Sequence, residues 1–484
     1  MKEDNFGYGD FLSPFTWRYG SQDMRRLFSE KGRRAGWRKA WVALAEAEAK
    51  RGLVSPAELA DIKLFSGAEH VDIERAHELE RTIRHDLMAE LRVFASQSRK
   101  GGGKLHLGAT SMDVEDNADM AVFRSGADIL LGRLAACLEA LAARIEEHKR
   151  TVCMGWTHLQ PAEPTTLGYR FAGYAQDLLM DVKMLEVLKD TFMKGKGVKG
   201  AVGTSASFKA LLGTDESVDS LEGEVMRAMG LKAFEVASQT YPRKVDFLLL
   251  SSLASIAQSC HKFGLDLRVM QSPGFGELSE PIGEKQVGSS AMPFKRNPVS
   301  SERMCSLARF VSVLPQVAFF SAASSVLERT LDDSAARRIV IPEAFLAVDE
   351  CLTVYESLAR GLVVYPAMIR RNLERYGPFA GTEAVLMRLA ELGGDRQELH
   401  EKLRTKSFEA WGEVMKGRTN PLAELLVRDR SITSKIRATE VRKLLDPSRH
   451  VGNARSKCEA FVRKEVRPVL ARYKPSKGGK GPKY

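Results

Sequence analysis

Apolar residues recur along this chain at spacings of three and four. Trp37, Trp41, Leu44 and Ala45 mark one face of a helix that ends near Gly52. After Asp116 the stripe lengthens: Met120, Phe123, Ala127, Leu130, Leu134, Leu138, Leu141 and Ile145 predict a helix of about eight turns. Further long helices are predicted over residues 164–189, 244–270, 299–326 and 335–362. The helix over 244–270 carries Val245, Phe247, Leu248, Leu249, Leu250, Leu253, Ile256, Ala257, Cys260, Phe263, Leu265 and Leu267 on nearly every face. A soluble helix that is apolar all round must be surrounded by other helices. Long helices in succession, with no alternating strand pattern between them, predict an all-α chain around an extended central bundle. Their length and apolar character suggest bundling with identical helices of other subunits.

Glycine clusters interrupt this regularity. Gly101-Gly102-Gly103 precedes the first long helix, and glycine-rich stretches over 195–203 and 274–288 separate the later ones. Glycine permits positive φ and close backbone approach, so these are loops between rigid helices, where chemistry tends to sit. Beyond residue 365 the predicted helices shorten and charge rises. Three parts are expected: a mixed helical N-terminal part (1–111), a long-helix central part (112–364) and a helical C-terminal part (365–484). The last ends in a disordered basic tail from about residue 474.

Composition narrows the function classes. The 484 residues are 44% hydrophobic and 28% charged, ordinary values for a soluble protein with a large core. No run approaches the roughly 18 apolar residues of a membrane span, and the N-terminus has acidic residues and no apolar leader core. A cytoplasmic protein without a membrane partner is expected. The formal charge of +11 owes four lysines to the last twelve residues. No basic helix or aromatic-interleaved module accompanies it, which argues against nucleic acid; the rest suits arginines gathered around an anionic small substrate. Cys137, Cys153, Cys260, Cys305, Cys351 and Cys458 form no CxxC pair and read as buried reduced thiols. The nine histidines show no HxxxH spacing, so no metal is expected.

The most informative stretch is Gly288-Ser289-Ser290-Ala291-Met292-Pro293-Phe294-Lys295-Arg296-Asn297-Pro298. It holds two hydroxyls, a lysine, an amide and two prolines that limit its conformations. The string resembles the GSSxMPxKxNP signature of the fumarase/aspartase superfamily, with Phe294 where tyrosine is frequent. The resemblance implies β-elimination. A base takes a Cβ proton, cations and donors hold the developing dianion, and an acid protonates the leaving group. It implies Ser289 as the base, with Lys295 and Asn297 as carboxylate ligands. A serine hydroxyl is a poor base unless its alkoxide is stabilised; Lys295 and loop amides are available for that. Thr157-His158-Leu159-Gln160-Pro161-Ala162 resembles a second superfamily region, which implies His158 as the general acid and Thr157 as a substrate contact. Imidazole, with an ordinary pKa of about 6.5, suits proton transfer near neutrality. Thr110-Ser111-Met112-Asp113, ahead of the first long helix, resembles a third and implies Thr110 and Ser111 as substrate ligands.

Further strings narrow the resemblance to the adenylosuccinate lyase family. Arg84-His85-Asp86 resembles its RHD element, whose histidine lies near the leaving group and substrate phosphate. Gln239-Thr240-Tyr241-Pro242-Arg243-Lys244-Val245-Asp246 resembles its QTYxRKVD string, and Gln239 there binds substrate. Residues 328–338 resemble ERTLDDSAxRR, implying nucleotide contacts from Arg329, Ser334 and Arg338; Arg303 and the pair Arg18-Tyr19 match further family ligands. Arginines suit a ligand with two carboxylates and a phosphate, since guanidinium forks bind both.

The resemblance implies a three-part fumarase/aspartase-like fold in a homotetramer whose active sites draw residues from three subunits, with no cofactor. The implied reaction is cleavage of adenylosuccinate to AMP and fumarate, and of the succinylated imidazole carboxamide ribotide SAICAR to AICAR. Two alternatives stay open: a superfamily lyase acting on another succinylated amine, and a non-catalytic scaffold retaining the fold. Residues 272–276, Ser-Pro-Gly-Phe-Gly, read as an insertion that alters how a lid over Ser289 closes.

Overall fold

The computed structural model describes residues 7, 9–283 and 289–473. Gly288 of the serine motif and the basic tail from residue 474 lie outside the described residues. Helix α1 (Glu30–Ala49) starts where the Ser29 hydroxyl accepts a hydrogen bond from the Gly32 amide at 3.0 Å. Its Trp37 and Trp41 pack with Leu87, Phe94 and Leu105, while Ala43, Leu44 and Ala47 meet Phe208, Val218 and Leu221 on the other side. Helices α2 (Ile73–Ile83) and α3 (Asp86–Gln97) follow, joined by a sharp turn at Arg84 and His85.

Helix α4 (Ser111–His148) spans 38 residues, longer than the expected eight turns. Every position of the predicted stripe from Met120 to Ile145 is buried. The helix starts earlier than the stripe because its first turns bury polar residues, Asp113, Asp116 and Asn117, which an apolar pattern does not register.

A second difference concerns the segment after it. The structure places Pro164 in a hairpin, not at a helix start: β1 (Val152–Thr157) pairs antiparallel with β2 (Gln160–Thr166). Prolines cannot donate to a sheet, but a two-stranded ribbon has only edges, so Pro161 and Pro164 are tolerated. Helix α5 (Leu167–Val187) begins only after Thr166, whose hydroxyl accepts from the Tyr169 amide.

Helices α6 (Asp215–Ala228) and α7 (Lys244–Gln271), strand β3 (Leu278–Ser279), helices α8 (Val299–Ala323) and α9 (Asp333–Gly361) and strand β4 (Val363–Val364) complete the central part. Helices α4, α5, α7, α8 and α9 share one apolar core; β3 and β4 pair beside it. Among the described residues the fold is all-α apart from these two small ribbons. Helix α8 is long and apolar enough to cross a membrane, yet it packs along α7 and α9. All six cysteines are buried and unpaired.

One chain does not cover every apolar face of this bundle. Leu265 of α7, Met180, Met184 and Val187 of α5, and Val313 and Phe320 of α8 are all exposed.

Beyond it, α10 (Pro366–Tyr376), α11 (Thr382–Glu391) and α12 (Arg396–Met415) lead into a separate apolar cluster of Val385, Leu389, Leu399, Ile432 and Leu445. Helix α13 (Ala454–Phe461) then returns to the bundle, where Cys458, Val462 and Val466 join the main core.

Glu48 of α1 is only 1% exposed, and neither carboxyl oxygen is hydrogen-bonded among the described residues. Burial pushes its pKa from 4.5 up to about 8, against a weaker pull from Lys104. Folding therefore favours the protonated form: stability is full at acid pH and is lost as pH rises through this value. Between about pH 5 and pH 9, the melting temperature should fall more for the wild-type chain than for Glu48→Gln. Parallel melting curves for the two proteins would refute this.

Candidate active site

The turn between α2 and α3 sets the first of the expected ligands. Arg84 ends α2 in the left-handed region (φ 53°), its amide donating to the Glu80 carbonyl at 2.7 Å. His85 is extended, and Asp86 opens α3 with its Oδ1 accepting from the Leu87 amide at 2.8 Å. This aims His85 at the start of α4, where its Nε2 lies 3.3 Å from Ser111 Oγ. Arg338 of α9 pairs with Asp86 at 2.6 Å. Burial works to raise the Asp86 carboxyl, but the Arg338 guanidinium outweighs it and holds it below the ordinary range.

Behind these residues lies a lattice of buried charge that sequence reasoning did not single out. Arg243 sits 2.6 Å from Asp333 and 3.0 Å from Asp116. Arg337 reaches Asp246 at 2.7 Å and Asp119 at 3.3 Å, and donates to the Tyr241 hydroxyl at 2.7 Å. That hydroxyl in turn donates to Asp246 at 2.5 Å, and the Tyr241 amide to Asp116 at 2.9 Å. Arg329 pairs with Asp333 at 2.7 Å, and the Gln239 amide bonds the Glu328 carbonyl at 3.2 Å. The 239–246 and 328–338 strings are thereby fastened to each other and to α4. The available signal was the row Asp113, Asp116 and Asp119, three polar residues at helical spacing beside a stripe otherwise apolar.

Asp113 fastens the other end. Its Oδ2 accepts from the Thr110 amide at 2.8 Å, and its Oδ1 meets Lys196 Nζ at 2.5 Å and the Lys199 amide at 2.9 Å. Asn117 bridges Gly197 through both its amide atoms. At Gly197 (φ 90°) an added Cβ would meet Glu222 Oε2 at 2.2 Å, so the glycine permits this approach.

The result is a cavity of about 450 Å³. Arg84, His85 and Asp86 line one side, Thr110 and Ser111 the helix mouth, Gln239 the loop, and Arg329, Ser334 and Arg338 the remaining wall. Nine residues expected from four separate strings meet there. Glu115 lines it too, without having been singled out.

The other expected residues stand apart from this wall. Thr157 and His158 occupy the exposed tip of the β1–β2 hairpin. His158 and Leu159 hold φ of 56° and 58°, values glycine or asparagine adopts more readily in two-residue turns. Ser289 Oγ accepts hydrogen bonds from the Met292 amide at 3.1 Å and the Ala291 amide at 3.4 Å. Lys295 is exposed and Asn297 half-buried on the same loop. Buried Glu280 accepts the Ser300 and Ser301 amides at 3.1 and 2.6 Å, and Gln271 holds the Arg296 carbonyl at 2.9 Å, anchoring the loop's return to α8. Arg303 and the Arg18-Tyr19 segment converge on Glu350, which lies 3.9 Å from the Arg303 guanidinium and accepts the Gly20 amide at 3.1 Å. The 272–276 turn is tied to α10, where Asn372 donates to the Phe275 carbonyl at 2.9 Å, and Phe275 packs edge-on against Trp156. Among the described residues no three His, Cys, Asp or Glu side chains form a metal-binding group.

Comparison with known proteins agrees with this architecture. Residues 18–312 match a family of lyases, and residues 378–461 match the adenylosuccinate lyase C-terminus. The 3-carboxy-cis,cis-muconate lactonizing enzyme of Pseudomonas putida superposes with a TM-score of 0.83 at 26% identity, covering 94% of this chain and 99% of that one. Fold and matched region thus define a lyase of the fumarase/aspartase superfamily. Adenylosuccinate lyase of Schistosoma mansoni is 41% identical over 472 residues, 96% of this chain and 97% of its own. That of Saccharomyces cerevisiae is 39% identical, covering 96% of each. The chain belongs to the adenylosuccinate lyase family.

Replacing Arg243 by leucine leaves the Asp116 and Asp333 carboxylates without this partner in a buried setting. Breaking a buried pair of this kind costs about 3–5 kcal/mol, and chemical denaturation should show a loss of that order. A loss below about 1 kcal/mol, the range of an exposed pair, would mean the lattice does not hold these strings together.

Proposed function

We propose that this protein cleaves adenylosuccinate to AMP and fumarate, and SAICAR to AICAR and fumarate, by β-elimination. The observation that carries the reading is the convergence of nine expected ligands from four strings on one cavity. Its cationic side, Arg84, Arg329 and Arg338, suits a phosphorylated, dicarboxylated ligand. In this reading Arg338 exchanges its Asp86 partner for the phosphate, while Thr110 and Ser111 hold a substrate carboxylate at the α4 N-terminus. His85 steadies the leaving group beside Ser111.

Ser289 takes the Cβ proton. The Ala291 and Met292 amides that donate to its Oγ lower the cost of a transient alkoxide there, and Lys295 on the same loop adds positive charge. Lys295 and Asn297 hold the dianionic carboxylate, and His158, with Thr157 beside it, protonates the departing nitrogen. Arg303, Arg18 and Tyr19 complete the nucleotide contacts, and Gln239 orients the substrate.

The cavity of a single chain contains neither this acid nor this base. We infer a homotetramer in which the hairpin tip, the serine loop and the cavity come from three different subunits. The exposed apolar faces of α5, α7 and α8 support that assembly, since patches of this kind mark association surfaces. We also propose a cytoplasmic location and a three-part division, 1–111, 112–364 and 365–484, with α13 and residues 462–469 riding on the central part.

Purified protein incubated with adenylosuccinate should release fumarate, followed by absorbance, and no release would sink the proposal. His158→Ala and Ser289→Ala should each lower turnover by about 10²-fold or more. Near-wild-type turnover in either would remove that residue's assigned role. Mixing the two inactive proteins with subunit exchange should restore part of the activity; no recovery would argue against shared sites.

A further inference from the structure

Glu115 lines the cavity of about 450 Å³ without an assigned part in it. It follows Ser111 by one turn of α4, which puts both side chains on the same helix face. Its carboxyl is half-buried and shares the cavity with Asp86, Ser334 and Arg338. The carboxylates around it are all taken. Asp113 holds Lys196, Asp116 holds Arg243 and Asp119 holds Arg337, while Asp86 of α3 holds Arg338. Glu115 alone among them makes no hydrogen bond or ion pair to any described residue. A carboxyl withdrawn this far from water needs a partner, and its open side faces the cavity, where a ligand supplies one.

The surrounding charges decide the form in which Glu115 meets that ligand. Asp116 and Asp119 flank it on α4, Asp86 acts on it from α3 and Arg338 from α9. The turn before α3 adds Arg84 and His85, and α2 adds Glu80. Arg329 and Arg337 stand on the α9 side, Glu30 and Arg33 on the α1 side. Burial disfavours a charge on Glu115, and repulsion from Asp86, Asp119 and Asp116 adds to it. Together they outweigh the pull of Arg338 and push the carboxyl from 4.5 up to about 8. Near neutrality it therefore keeps its proton and has one O–H to donate. A phosphate brought to Arg338 adds negative charge at this place. It repels an ionised carboxyl but accepts from a protonated one, in a short charge-assisted hydrogen bond.

We propose that Glu115 is a further substrate ligand, donating a hydrogen bond from its carboxyl O–H to the nucleotide phosphate beside Ser334 and Arg338. The inference rests on the reading above, in which the phosphate displaces Asp86 from Arg338. It adds a property that the arginines do not have, because this contact exists only while Glu115 holds its proton. The phosphate favours that proton, so the carboxyl titrates at higher pH in the complex than in the free protein. Nucleotide binding is then full below the free value of about 8 and weakens as pH rises through it, with a proton taken up on binding there.

Calorimetric titration of the full-length protein with AMP tests this. Wild-type affinity should fall about tenfold between about pH 7 and about pH 9, the loss expected when one group titrating near the middle of that interval must be protonated. Glu115→Gln keeps the shape and cannot ionise. It should hold its affinity over the same interval and bind AMP more tightly than wild type at the alkaline end. Wild-type binding at about pH 8.5, measured in two buffers of different ionisation heat, should show a proton uptake that the variant lacks. Adenosine, which has no phosphate, should reveal no such difference between the two proteins. Parallel AMP profiles for wild type and variant, no proton uptake by the wild-type protein, or the same difference with adenosine would each overturn the proposal and leave the nucleotide reading standing. Failure of the wild-type protein to bind AMP at millimolar concentration would end both.

Discussion

The buried pairing of Arg243 and Arg337 with Asp116, Asp119, Asp246 and Asp333 is the constraint on which the rest of the cavity depends. None of these six side chains is an assigned ligand. They join the loop before α7 and its first turn, the start of α9 and the first turns of α4. Ionised groups inside a protein are costly unless paired and hydrogen-bonded. The lattice pairs every one of these charges, with Tyr241 as a bridge, while Arg243 Nη2 and Asp116 Oδ1 meet at 3.0 Å as an ion pair without hydrogen-bond geometry. The geometry that satisfies the charges also sets Gln239, Arg329, Ser334 and Arg338 around one opening, so stability and ligand placement are the same contacts viewed from two sides.

Asp113 plays the matching part at the mouth of α4. A single carboxylate caps the helix and anchors the glycine-rich 195–203 loop through Lys196 and the Lys199 amide. The hydroxyls of Thr110 and Ser111 are thereby held where a helix N-terminus favours an anion. Asp113 is thus a structural tie. The 272–276 turn likewise belongs to the support, binding α10 and the tip-side end of the hairpin together through Asn372 and Trp156.

The proposed acid, His158, and the proposed base, Ser289, are presented differently from the nine cavity residues expected as ligands. Those nine stand on helices and on the turns and loops fastened to them, whereas His158 rides at the end of a two-residue turn and Ser289 on a loop anchored at its return by Glu280 and Gln271. Placing the rigid binding wall in one chain and the proton-transfer groups on projections from others would let assembly complete the chemistry. The uncovered apolar faces of the long helices give that assembly a driving force.

Much of this was determined by the order of residues alone. Stripes at three- and four-residue spacing define the long helices because helix geometry repeats locally and burial selects apolar side chains at that repeat. The motif strings pointed to nine residues that the fold brings to one cavity, because each reaction group needs a particular side chain. The tertiary structure decided what depends on contacts between distant segments: that α4 begins within a polar network, that Pro164 lies in a hairpin and not in a helix, and that Arg243 and Arg337 pair with carboxylates of α4, α7 and α9. Charged residues look alike along a chain whether they face solvent, substrate or one another. Only the fold, by choosing which carboxylate stands opposite each guanidinium, tells them apart.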